Sequence, residues 1–211
     1  MVYPIAKRII PPVIKLYIRK VTGLENVPKK GAYVIAANHA SYMDHLIITS
    51  LIMPYLNRKI HFLAKKEHFR EIHTNAWHRW AGAIPIDRQA GGEEALKLAI
   101  GSLSDGEIIS MYPEGTRSLD GKIHKGKTGI ARIVLRAKVP VIPIGLIGTF
   151  EMLPKHAKFP KFKRAEVNIG KPMYFDKYYG MENDHSTLRL VTDNIMKEIA
   201  KLSNQRYEYE N

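Results

Sequence analysis

Residues 38–44 read Asn-His-Ala-Ser-Tyr-Met-Asp, which sets the imidazole of His39 five positions before the carboxylate of Asp44. An imidazole titrates near neutral pH and can take a proton from an attacking hydroxyl, provided its tautomer and ring orientation are fixed. A carboxylate within hydrogen-bond reach fixes both and stabilises the imidazolium that forms, as in a triad lacking its serine. The same residues also have a purely structural reading. Ser41 and Asp44 have the spacing of a capping box, in which Ser41 caps a helix and Asp44 reaches back to the Ser41 backbone. Asp44 would then cap and orient by dividing its two oxygens between the tasks. The cap explains Ser41 and Asp44 but leaves His39 unexplained.

A second polar group lies in Tyr-Pro-Glu-Gly-Thr-Arg-Ser, residues 112–118. Glu114, Gly115, Thr116 and Arg117 form a tight turn in which the glycine lets backbone approach a ligand closely. Arg117 can grip a phosphate through two parallel hydrogen bonds, which lysine cannot match. The structural alternative is an exposed turn with a Glu114–Arg117 ion pair worth about 0–1 kcal/mol. Arg88, and Lys65 with its neighbour Lys66, are further cations. Each alone reads as a solvated surface group, but with His39 they describe a base beside an anion site.

Both polar groups follow apolar runs of strand type. Runs 31–38, 58–65, 82–88, 107–113, 139–149 and 164–175 read as strands or extended chain. They alternate with helical patterns over 41–53, 73–83, 93–106, 128–138 and 186–202. Leu96, Ala99, Ile100 and Leu103 make one helical stripe, and Leu188, Val191, Ile195, Ile199 and Leu202 another. Alternation of this kind predicts an α/β fold with a mostly parallel sheet. In such sheets ligands gather where strand C-termini meet helix starts, the place of His39 and of Glu114. No internal repeat or dividing linker is visible. The expected division is a basic amphipathic membrane-contact segment over 1–22 and a catalytic domain over 23–211. Pro11 and Pro12 should break that segment, leaving Ile14, Tyr17 and Ile18 at helical spacing.

Composition narrows the classes. The chain has 211 residues and no cysteine, which excludes disulfides, thiolate metal sites and cysteine nucleophiles. Its net charge of +13 implies an anionic partner. That charge is regional: residues 1–30 hold seven basic residues and one acid, and 120–170 hold eleven and three. The longest stretches free of charged residues, 31–43 and 45–57, are thirteen residues each, short of the roughly 18 a spanning helix needs. Lys7, Arg8, Lys15 and Arg19 interrupt any signal-peptide core. Nucleic acid competes for the charge. Lys155–Arg164, with Phe159 and Phe162, comes closest to a basic segment interleaved with aromatics. It serves equally as a lipid-surface patch, and no nucleic-acid partner is expected. No metal is expected either, since His68, His73 and His78 lie five apart and rotate around a helix.

Four blocks occur in order: NHASYMD, GAIPIDR, YPEGTRS and VPVIPIG. Together they resemble the glycerolipid acyltransferase family, specifically its 1-acyl-glycerol-3-phosphate acyltransferases, over about residues 20–175. The resemblance implies a mostly parallel or mixed central sheet covered by helices. It also implies transfer of an acyl group from a thioester, acyl-CoA or acyl carrier protein, to the sn-2 hydroxyl of 1-acyl-glycerol 3-phosphate, giving phosphatidic acid without further cofactor. His39 matches the base and Asp44 its orienting carboxylate. Arg117 matches the phosphate-binding arginine, Glu114, Gly115 and Thr116 the rest of its turn, and Lys65 and Arg88 basic positions assigned to the same phosphate. Ser41 is no nucleophile, because no covalent acyl-enzyme is implied. The N–H groups at the start of the Ser41 helix are then the expected donors to the oxyanion. Two departures stand out. The long apolar N-terminal helices of many members are replaced by a short basic segment, which predicts peripheral or monotopic attachment at the cytoplasmic face of an anionic membrane. His45 stands where an apolar or small residue is expected. Other acceptors, and a non-catalytic binding domain on the same fold, are the alternatives; the latter should lack the His or the Asp, and both are present.

Overall fold

The computed structural model describes residues 10–65, 82–86, 92–157 and 159–209. Its centre is a seven-stranded sheet in the order β1-β7-β6-β2-β5-β3-β4. The strands are β1 (Ile18–Thr22), β2 (Tyr33–Ala37), β3 (Ile60–Lys65), β4 (Ala83–Ile86), β5 (Ile108–Met111), β6 (Val141–Ile147) and β7 (Ala165–Ile169). Neighbours run parallel except β6 and β7, which are antiparallel. The sheet is therefore mixed, as expected. One consequence matters for the site. The C-termini of β2, β3, β4, β5 and β6 share one edge, and the reversed strands β1 and β7 begin at that same edge.

The helices α1 (Met43–Leu56), α2 (Gly92–Ser104), α3 (Gly129–Ala137) and α4 (His185–Leu202) divide between two faces. Alternation along a strand sends successive side chains to opposite faces. In β2, Tyr33, Ile35 and Ala37 join the α1 residues Ile47, Ile48 and Ile52 in one core. Val34 and Ala36 join a second core with α2, α3 and α4. A strand covered on both faces reads as a continuous apolar run, and every residue of β2 is buried. The stripes behave as read: Leu188, Val191, Ile195 and Ile199 are fully buried, Leu96, Ala99 and Leu103 are buried, and Ile100 and Leu202 are half-buried.

The N-terminal segment differs from its reading. Pro11 and Pro12 lie inside helical residues 10–15, because the proline ring holds φ near the helical value. Residues 18–22, read as the end of a separate amphipathic piece, are the edge strand β1, paired in parallel with β7. Ile14 and Ile18 do share a core, but from a helical turn and a strand respectively. The helix expected over 73–83 lies outside the described residues up to Gly82, where a turn leads into β4, and His68, His73 and His78 lie outside them too. Among the described residues, no helix is long and apolar enough to cross a membrane.

Close helix–strand approach demands glycine at one place. A Cβ on Gly145 of β6 would lie 2.2 Å from the Leu202 carbonyl carbon and 2.4 Å from the Ser203 nitrogen, at the end of α4. Gly101, inside α2, has no atom within 4 Å of the same position. Substituting alanine should therefore have opposite signs. Gly145→Ala is expected to destabilise by about 1–3 kcal/mol through overpacking against backbone. Gly101→Ala is expected to stabilise by about 0.5–1 kcal/mol through helix propensity. Denaturant unfolding of the two variants checks both; a neutral Gly145→Ala would mean the helix end is not seated there.

Candidate active site

The turn between β2 and α1 carries the first polar group. Asp44 sits in the first turn of α1 with no exposure to solvent. Its Oδ2 atom accepts three hydrogen bonds of 2.8 Å: from the Ala40 N–H, from the Ser41 N–H and from Nδ1 of His39. A carboxylate oxygen has no proton to give, so Nδ1 carries the hydrogen and the lone pair lies on Nε2. The His39 ring also stacks on Tyr112, with centroids 3.9 Å apart and planes 10° from parallel. The imidazole, 18 % exposed, is thus held at one nitrogen and one face. Burial, and the charge of Asp44, hold the Tyr112 hydroxyl well above the usual phenol range, so it stays protonated.

This arrangement corrects the capping-box reading in part. Asp44 does reach back to Ser41, but one oxygen serves both cap and ring. Oδ1 is buried with no partner among the described residues. Ser41 Oγ accepts from the Met43 N–H at 3.1 Å and donates to the Leu153 carbonyl at 2.9 Å, which leaves it no part in proton transfer. Of the N–H groups at the start of α1, those up to residue 43 already have partners. The N–H groups of residues 39–43 go, in turn, to Glu114 Oε1, to Asp44 Oδ2 twice, to the Leu153 carbonyl and to Ser41 Oγ.

The second polar group follows β5. Glu114 does not pair with Arg117. Its buried carboxylate accepts the His39 N–H at 2.9 Å through Oε1 and the His124 N–H at 3.0 Å through Oε2. Four residues on, the Ser118 N–H donates to the His39 carbonyl at 2.7 Å. The 114–118 turn therefore grips the His39 backbone from both sides. Gly115 closes the turn at φ +74°, its N–H on the Tyr112 carbonyl at 3.0 Å. A Cβ there would be strained and would also meet the Lys127 side chain at 3.1 Å. Thr116 is exposed.

Arg117 stacks on the ring of Tyr42, its guanidinium carbon 3.4 Å from the centroid. It makes no ion pair among the described residues, and its Nη1 is buried without a partner there. A half-buried guanidinium with an open donor, stacked on a ring, fits the recognition of a planar or tetrahedral oxyanion. Lys65 ends β3 on the same sheet edge, its side chain outside what the structure describes, and Arg88 lies outside the described residues altogether. His45 faces elsewhere, edge-on to Phe62 of β3 at 6.1 Å between centroids.

Sequence reasoning missed the supporting groups. Tyr42, Tyr112 and Ser118 stand inside the motifs and could have been weighed. Asn38, next to His39, has a structural function. Its side-chain amide pairs with both backbone groups of Leu146, the N–H at 2.8 Å and the carbonyl at 2.9 Å, and so extends the β2–β6 ladder. The Leu153 carbonyl carries no sequence signal.

Comparisons with known proteins agree on one relationship. The sequence model of the family described as Acyltransferase matches residues 18–147. A 1-acyl-sn-glycerol-3-phosphate acyltransferase of Bacillus subtilis (strain 168) is 30% identical over 189 residues, 88% of each chain. A chloroplastic 1-acyl-sn-glycerol-3-phosphate acyltransferase of Brassica napus is 31% identical over 166 residues, 76% of this chain and 46% of the relative. The crystal structure of the 1-acyl-sn-glycerophosphate acyltransferase PlsC from Thermotoga maritima superposes with a TM-score of 0.75 at 26% identity, covering 98% of this chain and 81% of that one.

Burial pushes the Glu114 carboxyl up from 4.5 to about 7, against the two N–H bonds that favour its charged form. Between those pH values the folded chain holds a proton that the unfolded chain has lost. Glu114 therefore contributes stability that is complete below about pH 4.5 and is lost as pH rises through about 7. The loss amounts to about 3 kcal/mol at the alkaline end. Glu114→Gln removes this titration and one of the two N–H bonds. The Tm difference, wild type minus variant, should be larger at pH 5 than at pH 7.5; parallel Tm profiles would refute the assignment.

Proposed function

This chain belongs to the acyltransferase family, and from that premise we propose that it acylates the sn-2 hydroxyl of 1-acyl-glycerol 3-phosphate, giving phosphatidic acid. The donor is a fatty acyl thioester, acyl-CoA or acyl carrier protein. The hydroxyl oxygen attacks the thioester carbonyl carbon while His39 Nε2 takes the hydroxyl proton. Collapse of the tetrahedral species breaks the C–S bond, and the imidazolium returns the proton to the leaving thiolate. Asp44 holds the tautomer that makes Nε2 the base and stabilises the imidazolium between the two steps. Arg117 binds the acceptor phosphate, with Lys65 and Arg88 as further cations and Gly115 and Thr116 shaping the turn. Glu114 positions this turn without touching substrate.

The observation that carries this reading is the double grip of the 114–118 turn on the His39 backbone. Two hydrogen bonds fix the anion site to the base, so a phosphate seated at Arg117 places its glycerol hydroxyl relative to Nε2. Such placement converts an encounter into an oriented reaction. The acceptor is a lipid, so the enzyme works at a membrane. The basic N-terminal and 155–164 segments support attachment to an anionic, cytoplasmic surface, peripheral or monotopic.

Transfer to lysophosphatidic acid, glycerol 3-phosphate and a neutral lysolipid, assayed side by side, tests the proposal. The wild type should prefer lysophosphatidic acid. His39→Ala should lower kcat by about 10²–10⁴-fold with the fold intact. Arg117→Ala should raise KM for the phosphorylated acceptor and narrow the preference over the neutral lysolipid. Near-normal turnover without His39, or an unchanged preference without Arg117, would overturn the corresponding assignment.

A further inference from the structure

Two segments about 145 residues apart in sequence meet at the sheet edge that carries the site. Because β1 and β7 are reversed, residues 13–17 and 159–164 precede them at the end where His39 follows β2. The segments are tied together. The Tyr17 and Phe162 rings touch edge-on at 5.4 Å, the Ala165 N–H donates to the Tyr17 carbonyl at 2.8 Å, and Arg164 donates to the Ile18 carbonyl at 3.1 Å. Four apolar side chains project from this junction: Val13, Leu16, Phe159 and Phe162, exposed by 49, 61, 81 and 70 %. Around them stand exposed Lys15, Lys20, Lys155, Lys161 and Lys163, none in an ion pair among the described residues. Arg19 is neutralised by Glu166.

We propose that residues 13–20, 155–157 and 159–164 form one lipid-docking surface that seats on an anionic bilayer, with the Phe159–Phe162 loop inserted among the headgroups. Bare aromatic and aliphatic side chains ringed by unpaired lysines match an interface that is apolar below and negatively charged above. The charge argues against a second copy of this chain as occupant, since two such surfaces would repel. The loop is also built into the site. Met152, at its base, is buried in the α1 core and its carbonyl accepts the Lys161 N–H at 2.8 Å. Next to it, the Leu153 carbonyl accepts from Ser41 Oγ and from the Tyr42 N–H, in the turn that holds His39 and stacks Arg117. A bilayer bound here therefore lies at the edge where a lipid acceptor reaches the base. The proposal deepens the assignment of a lipid acceptor, which rests on the function proposed above.

Vesicle sedimentation of the full chain tests it, with phosphatidylglycerol–phosphatidylcholine vesicles, phosphatidylcholine vesicles and a homopolymer RNA as parallel arms. The wild type should bind the anionic vesicles, more weakly as salt rises. Phe159→Ser with Phe162→Ser should weaken that binding about tenfold or more. Lys155→Gln with Lys161→Gln and Lys163→Gln should weaken it and flatten its salt dependence. Both variants should keep wild-type transfer to a short-chain lysophosphatidic acid dissolved as monomers, which also shows that they fold. Undiminished sedimentation of both variants would overturn the proposal, as would binding to RNA in preference to vesicles, or dimerisation that the phenylalanine changes abolish. Wild-type transfer without vesicle binding would sink the docking surface alone; vesicle binding without transfer would sink the proposed reaction alone.

Discussion

One carboxylate oxygen organises the catalytic turn. Asp44 Oδ2 accepts from two consecutive backbone N–H groups and from the imidazole, all at 2.8 Å and without access to solvent. The same atom bends the chain from β2 into α1 and chooses which nitrogen of His39 is basic. Charge-assisted bonds of this kind are stronger than neutral ones, and water does not compete for a buried acceptor. Removing the charge would loosen turn and ring together. The five-residue spacing between histidine and aspartate is the spacing this geometry needs: the carboxylate enters from the first helical turn and meets the residues just before it.

Around that oxygen stands a polar frame that keeps two loops in register. Glu114 and Ser118 fix the His39 N–H and carbonyl, Asn38 pairs with Leu146, and the Leu153 carbonyl holds Ser41 and Tyr42. At the far side of the 114–128 loop, Arg189 pairs with Asp193 and donates to the Gly126 carbonyl at 2.7 Å, while Tyr207 donates to Asp193 at 2.7 Å. The helix α4 and the C-terminal tail thereby clamp the loop that follows the anion site. Each buried polar group is costly unless paired, so the frame holds because nearly all its members are satisfied. Among the described residues, Asp44 Oδ1, Arg117 Nη1 and the Tyr112 hydroxyl are buried without a partner at the site itself.

Much of this was legible beforehand, for reasons that can be stated residue by residue. The buried strands β2 and β6 are unbroken apolar runs, and the stripes of α2 and α4 repeat at helical spacing, so the layers followed from periodicity. The positions of His39 and Glu114 followed from the rule that sites form at strand C-termini. The strand β1 did not, because an edge strand with Arg19 and Lys20 alternates too weakly to be told from an amphipathic helix. Nor did the partner of Glu114. Spacing along the chain suggested Arg117, three residues away, whereas the fold brings the His39 and His124 N–H groups closer. Long-range backbone partners such as the Leu153 carbonyl leave no mark in side-chain pattern, so the engagement of the Tyr42 N–H was not legible.

The account stands or falls on the hydrogen between His39 and Asp44. Nitrogen-15 NMR of the neutral imidazole in wild type and in Asp44→Asn measures it directly. The wild type should show a protonated Nδ1 and a bare Nε2, and the substitution should erase that preference along with transfer activity. A wild-type ring protonated at Nε2, or a tautomer indifferent to residue 44, would contradict the central claim.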